Sequence, residues 1–243
     1  MVDFDGTMSE LNPDPGAATA DPDCLDALNA LAAKLPLAAV LSGRGVRDLE
    51  SHVGLEGVWY GGNHGAEYIR DGVYEVVPGA NAARASLESV LEHVKNRAAD
   101  PAFIWEDKGF SISVHYRGAA DAILAKKELQ AGIDSAPHME SLEVFWGNHI
   151  LEVRGRTGLN KGHAVRKLVD EFSLDSAVFI GDDTTDIDGM RAVSEMRVAG
   201  EIDAVGIAVA RPESPAELIE FADYTVSNVG EVAKFMRWLV SVA

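Results

Sequence analysis

Short runs that are apolar at nearly every position, and that stop abruptly at small or acidic residues, set the main constraint on this chain. Leu37–Leu41 ends at Ser42, Gly43 and Arg44, and Ala177–Ile180 ends at Gly181, Asp182 and Asp183. Val205–Val209 and Tyr224–Val226 read as two more short strands. A strand without a polar alternation has no wet face, so it must lie in a sheet covered on both sides. The covers are also legible. Leu25, Leu28, Leu31 and Leu35 follow the natural N-cap Asp21 at helical spacing. Val165, Leu168 and Val169 do the same after Lys161, as do Val232, Phe235, Met236 and Leu239 near the end. Buried strands alternating with amphipathic helices predict an α/β fold built on a parallel sheet.

The middle of the chain has another period. Phe110, Ile112, Val114 and Tyr116 alternate with Ser111, Ser113, His115 and Arg117, the pattern of a strand with one wet face. Leu142–Trp146 and Ile150–Val153 flank Gly147 and Asn148, a hairpin signal. Helical patterns at Leu87, Val90, Leu91 and Val94, and around residues 119–132, precede each strand pair. Residues 80–157 are therefore expected to form an antiparallel α-β-β-α-β-β unit, inserted into a core made of residues 1–79 and 158–243.

Composition removes several function classes. A formal net charge of -18 argues against nucleic-acid and acidic-membrane partners, both of which need clustered Lys and Arg. Cys24 is the single cysteine, which excludes an internal disulfide and a Cys-based zinc cluster. No apolar run approaches the roughly 18–20 residues that cross a bilayer, and no signal-peptide pattern is visible. A cytoplasmic monomer acting on a small molecule is expected.

Four polar clusters fall at strand ends or helix starts, where open parallel sheets bind ligands. Asp3 and Asp5 point the same way from an extended chain, so one can attack while the other handles protons, and Gly6 allows a sharp turn before Thr7. Ser42 and Gly43 offer a hydroxyl and backbone N–H groups to phosphate oxygens. Lys161 supplies a point charge, and Asp182, Asp183 and Asp186 supply hard oxygen ligands suited to Mg²⁺. Each cluster alone is ordinary: a turn, a helix cap, a surface lysine, a solvated loop. Their joint order is not.

That order resembles the haloacid dehalogenase superfamily of phosphatases, and the insert position resembles the subclass with an α/β cap. The resemblance implies a Rossmann-like core with a parallel sheet and an inserted cap domain. A narrower likeness is carried by Gly62–Glu67, by Glu106–Ser111 running on to Arg117, by Leu151–Arg154 with Asn160–Gly162, and by Gly181–Asp186. These stretches are similar to the motifs of trehalose-6-phosphate phosphatases. One position departs: the family usually has Pro after Glu-Val-Arg, and Gly155 stands here, which is expected to loosen the approach to Lys161.

The family likeness implies that Asp3 attacks phosphorus and forms an aspartyl-phosphate, with Asp5 as general acid and then base. It implies phosphate contacts from Thr7, Ser42, Gly43 and Lys161. Mg²⁺ would be held by Asp3, the Asp5 carbonyl and Asp182, with Asp183 or Asp186 behind them. The sugar would be met by Glu106, Lys108 and Glu152 from the cap and by Arg44, Asn63 and His64 from the core. Two enzymatic alternatives stay open, a phosphatase for sucrose phosphate or one for mannosyl-phosphoglycerate. A non-catalytic acidic metal-binding protein or a degenerate relative is a further reading, although neither acidic loop has calcium-loop spacing.

Only Met1 and Val2 precede Asp3, whereas a central strand ordinarily brings about five apolar residues to such a position. The first strand is expected to be truncated: either the start is misassigned or neighbouring strands hold the nucleophile with less support, and a version extended by several apolar residues is expected to be more stable or more active.

Overall fold

The structure is a computed structural model that describes residues 1–243 except Pro13, Asn148 and Glu213. It divides into two compact units, Met1–Val77 with Leu159–Ala243, and Pro78–Gly158. In chain order the first unit opens with α1 (Pro22–Ala32), β1 (Ala39–Leu41), α2 (Val46–Val53), β2 (Trp59–Gly62), β3 (Glu67–Arg70) and β4 (Val73–Val76). The second holds α3 (Arg84–Lys95), β5 (Ile104–Asp107), β6 (Ser111–His115), α4 (Ala122–Asp134), β7 (Leu142–Gly147) and β8 (Ile150–Gly155). The first unit resumes with α5 (Lys161–Glu171), β9 (Ser176–Gly181), α6 (Ile187–Val198), β10 (Asp203–Val209), α7 (Ala216–Phe221), β11 (Tyr224–Val226) and α8 (Val229–Val242). Among the described residues no helix is long and apolar enough to cross a membrane.

The first unit's sheet consists of two blocks, β1-β2-β3-β4 and β11-β10-β9, joined by the first three residues. Val2 bridges Val40 on one side and Ile180 on the other, parallel to both. The rung is hydrogen-bonded throughout: the Val2 N–H donates to the Ala39 carbonyl and the Leu41 N–H to the Val2 carbonyl, both at 2.9 Å. On the other side the Asp3 N–H donates to the Ile180 carbonyl (2.9 Å) and the Ile180 N–H to the Met1 carbonyl (3.1 Å). Residues 1–3 are thus hydrogen-bonded to strands on both sides.

Strand parity builds the core. Val40, Ile180, Ile207 and Val209 face a cluster formed with α1, α2 and α8. Ala39, Leu41, Phe179 and Ala208 face the opposite cluster, formed with α5, α6 and α7. The α1 helix is capped as its sequence predicts, the Asp21 carboxylate accepting from the Asp23 and Cys24 N–H groups.

Two features go beyond the sequence reading. β3 and β4 add an antiparallel edge to the parallel sheet, and their turn places Asp71 and Gly72 at φ 49° and 75°. An Asp-Gly pair is the residue choice that such a hairpin turn requires, so the hairpin had a local signal in the sequence. The α2 helix starts at Gly45, which has no side chain to cap it. Glu67 on β3 substitutes: buried, it accepts the Val46 N–H (2.8 Å) and the Asn63 side-chain amide (2.6 Å) on Oε1, and the Tyr74 hydroxyl (3.0 Å) on Oε2.

The second unit has the order α-β-β-α-β-β, with an antiparallel sheet β5-β6-β8-β7. Ile112, Val114, Leu151 and Val153 pack with Leu87, Val90, Val94, Leu129 and Ile133 of the two helices. The other face is polar, but it does not leave β6 wet: Ser111 and Ser113 are 2% and 0% exposed, because β6 is central and its serines lie among longer side chains. Gly147 pairs with Ile150 across the β7–β8 hairpin, while Asn148, half of the turn signal, lies outside the described residues. Gly155 also acquires a reason, since a Cβ there would come within 2.6 Å of the Ala83 Cβ.

Replacing Glu67 with Ala removes the acceptor for a buried helix-terminal N–H. It should lower the unfolding free energy by about 2 kcal/mol, measured by urea denaturation.

Candidate active site

The Met1–Asp3 rung, β1, β9 and β10 run parallel, so their C-terminal ends open on one side of the sheet. Asp3 follows Val2, Ser42 follows β1, and Asp182 follows β9. Lys161 is the first residue of α5, whose N-cap Asn160 accepts the His163 N–H at 2.8 Å. Gly162 keeps that helix close to α6, for a Cβ there would lie 2.4 Å from the Asp188 carbonyl oxygen.

These placements converge on one buried charge. Lys161 Nζ donates to Asp3 Oδ1 at 2.6 Å and to Asp186 Oδ1 at 2.7 Å, with the lysine 2% exposed. Asp186 uses Oδ2 to accept the Asp182 and Asp183 N–H groups, each at 3.1 Å. Burial pulls the Lys161 ammonium toward lower pKa, but Asp186 and Asp3 outweigh it and the net shift is upward, so the lysine stays charged. Burial and the facing Asp186 and Asp182 raise Asp3 well above the ordinary carboxylate range, although Lys161 opposes the rise. Asp182 is pushed up to about 7 by burial, then by Asp186, with Arg211 opposing.

Asp3, Asp182 and Asp186 each offer a carboxylate oxygen, and these oxygens lie within 4.8 Å of one another. Asp3 and Asp182, with raised proton affinity, are under-compensated, and hard oxygen donors so arranged fit a small divalent cation. Asp183 does not join them: it is exposed and turns its carboxylate back to the Thr184 N–H (2.6 Å), capping the short 3₁₀ turn. Thr7 reaches Asp182 Oδ1 at 3.5 Å. Gly6 has φ 82° and its Cβ position would fall 2.0 Å from Asp182 Oδ2, so the first loop can meet the acidic loop only through a residue without a side chain.

Arg44 is buried, 7% exposed, and its guanidinium grips Asp5 through Nε and Nη2, both at 2.7 Å, while Nη1 donates to Asp48 at 2.9 Å. It also lies over the Phe4 ring, 5.2 Å from the centroid. The following residues interlock: the His64 N–H donates to the Ser42 carbonyl (2.9 Å) and the Asn63 N–H to the Arg44 carbonyl (2.7 Å). The His64 ring covers Gly43, where a Cβ would come within 2.7 Å of it. Asn63 and His64 hold φ 48° and 58°, a left-handed backbone fastened by these bonds and by Glu67.

In the second unit Glu106, Ser113 and Glu152 are register partners across β5, β6 and β8, so they form one row. Lys108 Nζ lies 3.8 Å from Glu106 and 3.6 Å from Glu152, and Ser113 Oγ donates to Glu152 at 3.3 Å. His115 Nε2 is 3.2 Å from Glu106. Ser113 and His115 thus join the three residues chosen from sequence.

The main omission from the sequence reading is Arg211, just past β10. Its Nη1 donates to Asp182 Oδ2 at 2.8 Å and its Nη2 to the Gly6 carbonyl. Its position at the end of a parallel strand was the available signal.

A family model described as trehalose-phosphatase matches residues 1–216. A trehalose-phosphate phosphatase of Mycobacterium marinum is 35% identical over 242 residues, covering 94% of this chain and 61% of the relative. Its counterpart in Mycobacterium tuberculosis is 33% identical over 244 residues, covering 95% and 62%. The chain therefore spans about three fifths of the length of these curated relatives. Among solved structures, the C-terminal domain of the C. albicans trehalose-6-phosphate phosphatase superposes with a TM-score of 0.81 at 22% identity, over 99% of this chain and 90% of that one. A trehalose-6-phosphate phosphatase related protein gives 0.78 at 22% identity, over 99% and 96%. Those likenesses are of fold, which is the haloacid dehalogenase fold expected from the motif order. The family match takes in the strand ends and helix start that carry Asp3, Ser42, Lys161 and Asp182, and the chain belongs to the trehalose-phosphatase family.

Proposed function

We propose that this chain hydrolyses trehalose 6-phosphate to trehalose and inorganic phosphate, with its first unit as the catalytic core and its second as a cap. The observation that carries the reading is the buried Lys161 ammonium shared between Asp3 and Asp186 beside Asp182. Such a cluster is costly to bury for stability alone, and it suits a site that stabilises phosphoryl charge.

In this reading Asp3 Oδ attacks phosphorus in line, the P–O bond to the sugar breaks, and the phosphoryl group is held as an aspartyl-phosphate. Lys161, the Ser42 hydroxyl, Thr7 and the Gly43 backbone would take its oxygens. Asp5 gives a proton to the leaving sugar oxygen and then takes one from the water that hydrolyses the intermediate. The Arg44 fork holds both oxygens of the Asp5 carboxylate. To act as acid, Asp5 must carry a proton and leave that fork. Asp3 and Asp182, with the Asp5 carbonyl, would hold a divalent cation such as Mg²⁺, and Asp186 would anchor the loop behind them. When bound, such a cation supplies charge neutralisation and orientation for the phosphoryl group.

The sugar hydroxyls fall to Glu106, Lys108 and Glu152, whose row across three strands offers both donors and acceptors. Asn63 and His64 are the corresponding candidates on the first unit. Ser113 and His115 support the row through Glu152 and Glu106.

Phosphate release should be faster from trehalose 6-phosphate than from sucrose phosphate, mannosyl-phosphoglycerate or simple sugar phosphates, and EDTA should abolish it. Asp3→Asn should lower kcat by roughly 10⁴-fold or more while the far-UV circular dichroism stays that of the parent. A mutant that turns over at a tenth of the parental rate would remove Asp3 from the nucleophile's role.

Glu152→Gln should raise KM for trehalose 6-phosphate by about tenfold while leaving turnover of a small aryl phosphate within about twofold. Equal losses on both substrates would mean that the row supports folding and not sugar recognition.

A further inference from the structure

Arg211 is seated by a closed turn. Its N–H donates to Ser214 Oγ at 2.9 Å, the Ser214 N–H returns to the Arg211 carbonyl at 3.0 Å, and Ser214 Oγ donates to the Val209 carbonyl at 3.3 Å. The side chain is 14% exposed and spans two loops, bonding Asp182 Oδ2 of one and the Gly6 carbonyl of the other. A guanidinium cannot shed its proton, and its planar fork fits two acceptors at fixed spacing better than a lysine does.

The charge around it explains why such a group is there. Asp3, Asp182 and Asp186 form one buried cluster, and Lys161 is bonded to Asp3 and Asp186. Asp182 receives its ion pair from Arg211. Three carboxylates against a single ammonium would leave the dry site strongly negative. Arg211 brings it closer to neutral before any cation arrives. A divalent cation that enters the same cluster would meet a positive charge already bonded to one of its ligands, Asp182.

We propose that Arg211 is a resident counter-ion of the Asp3–Asp182–Asp186 cluster, stabilising the cation-free protein and setting how tightly the cluster binds a divalent cation. This rests on the reading of that cluster as a cation site. Because the guanidinium is tied to the Gly6 carbonyl and its backbone to Ser214, it stays in place when the cation binds, and its repulsion is a standing contribution to the affinity. Arg211 is a positioning residue here: it acts on phosphoryl transfer only through Asp182 and the first loop.

The test is calorimetric titration of Mg²⁺ into chelator-stripped protein, together with melting curves in EDTA and in saturating Mg²⁺. Arg211→Gln, which removes the charge and keeps a donor, should bind Mg²⁺ about tenfold more tightly than the parent. It should melt about 5 °C lower in EDTA, with the gap narrowing in Mg²⁺. Arg211→Lys, which keeps the charge, should hold the parental Kd within about twofold. An unchanged or weaker Kd in Arg211→Gln, with the same loss of Tm in both buffers, would mark Arg211 as a structural tie only. Where Arg211→Gln does not fold, Arg211→Lys decides, and a Kd tenfold from the parent's in either direction overturns the proposal. Failure of the parent protein to bind Mg²⁺ would overturn the cation-site reading and this role together, whereas an unchanged Kd in Arg211→Gln leaves that reading standing.

Discussion

The ammonium of Lys161, held between Asp3 and Asp186, ties together three pieces of chain that are far apart in sequence. It joins the end of the Met1–Asp3 rung, the start of α5 and the turn after β9. Removing one partner of such a pair leaves a buried charge uncompensated, at a cost of about 3–5 kcal/mol. Loop geometry on this side of the sheet is therefore subordinate to keeping those charges opposed. The glycines nearby follow from it: Gly6 makes room for Asp182, and Gly181 for the Asp186 carboxyl, which would lie 2.3 Å from a Cβ.

Two arginines complete the electrostatics in different ways. Arg44 closes on Asp5 from the α2 side and is fixed in turn by Asp48 and by contact with the Phe4 ring. Arg211 closes on Asp182 from the β10 side and binds the Gly6 carbonyl. Both aspartates are thus oriented by planar forks anchored on neighbouring strands or loops, a geometry an ammonium could not reproduce. A chain with a formal charge of -18 places Arg44, Lys161 and Arg211 at one end of one sheet. The acidic composition says nothing against phosphate chemistry there, because the local field is set by these groups.

The second unit solves another problem with strand parity. One face of its sheet is apolar and packs on α3 and α4, while register places Glu106, Ser113 and Glu152 in line on the other. Polar side chains in such a row brace one another, so Lys108 is held between two carboxylates. A preformed set of donors and acceptors is what recognition of a many-hydroxyl ligand requires.

The local periodicities were enough to read the α/β class, most of the strands and helices, and the α-β-β-α-β-β order, because burial imposes periods of 2 and 3.6 on side chains. They also carried Asp3, Lys161 and Asp182, since the end of a buried parallel strand and the start of a helix are where such a sheet presents polar groups to a ligand. What periodicity could not decide was pairing at long range. Arg44 was expected to meet the sugar, and its pairing with Asp5, 39 residues away, could not be read from local pattern. Asp183 and Asp186 were indistinguishable as letters in one acidic run, yet the turn sends one to solvent and the other to Lys161. Glu67 as a helix cap and Arg211 as a counter-ion depend on contacts across 21 and 29 residues, and only the folded chain brings them within hydrogen-bond distance. Sequence alone determined which elements form and which residue types stand at their ends. Tertiary structure decided which charges face one another, because electrostatic pairing depends on separation in space and not along the chain.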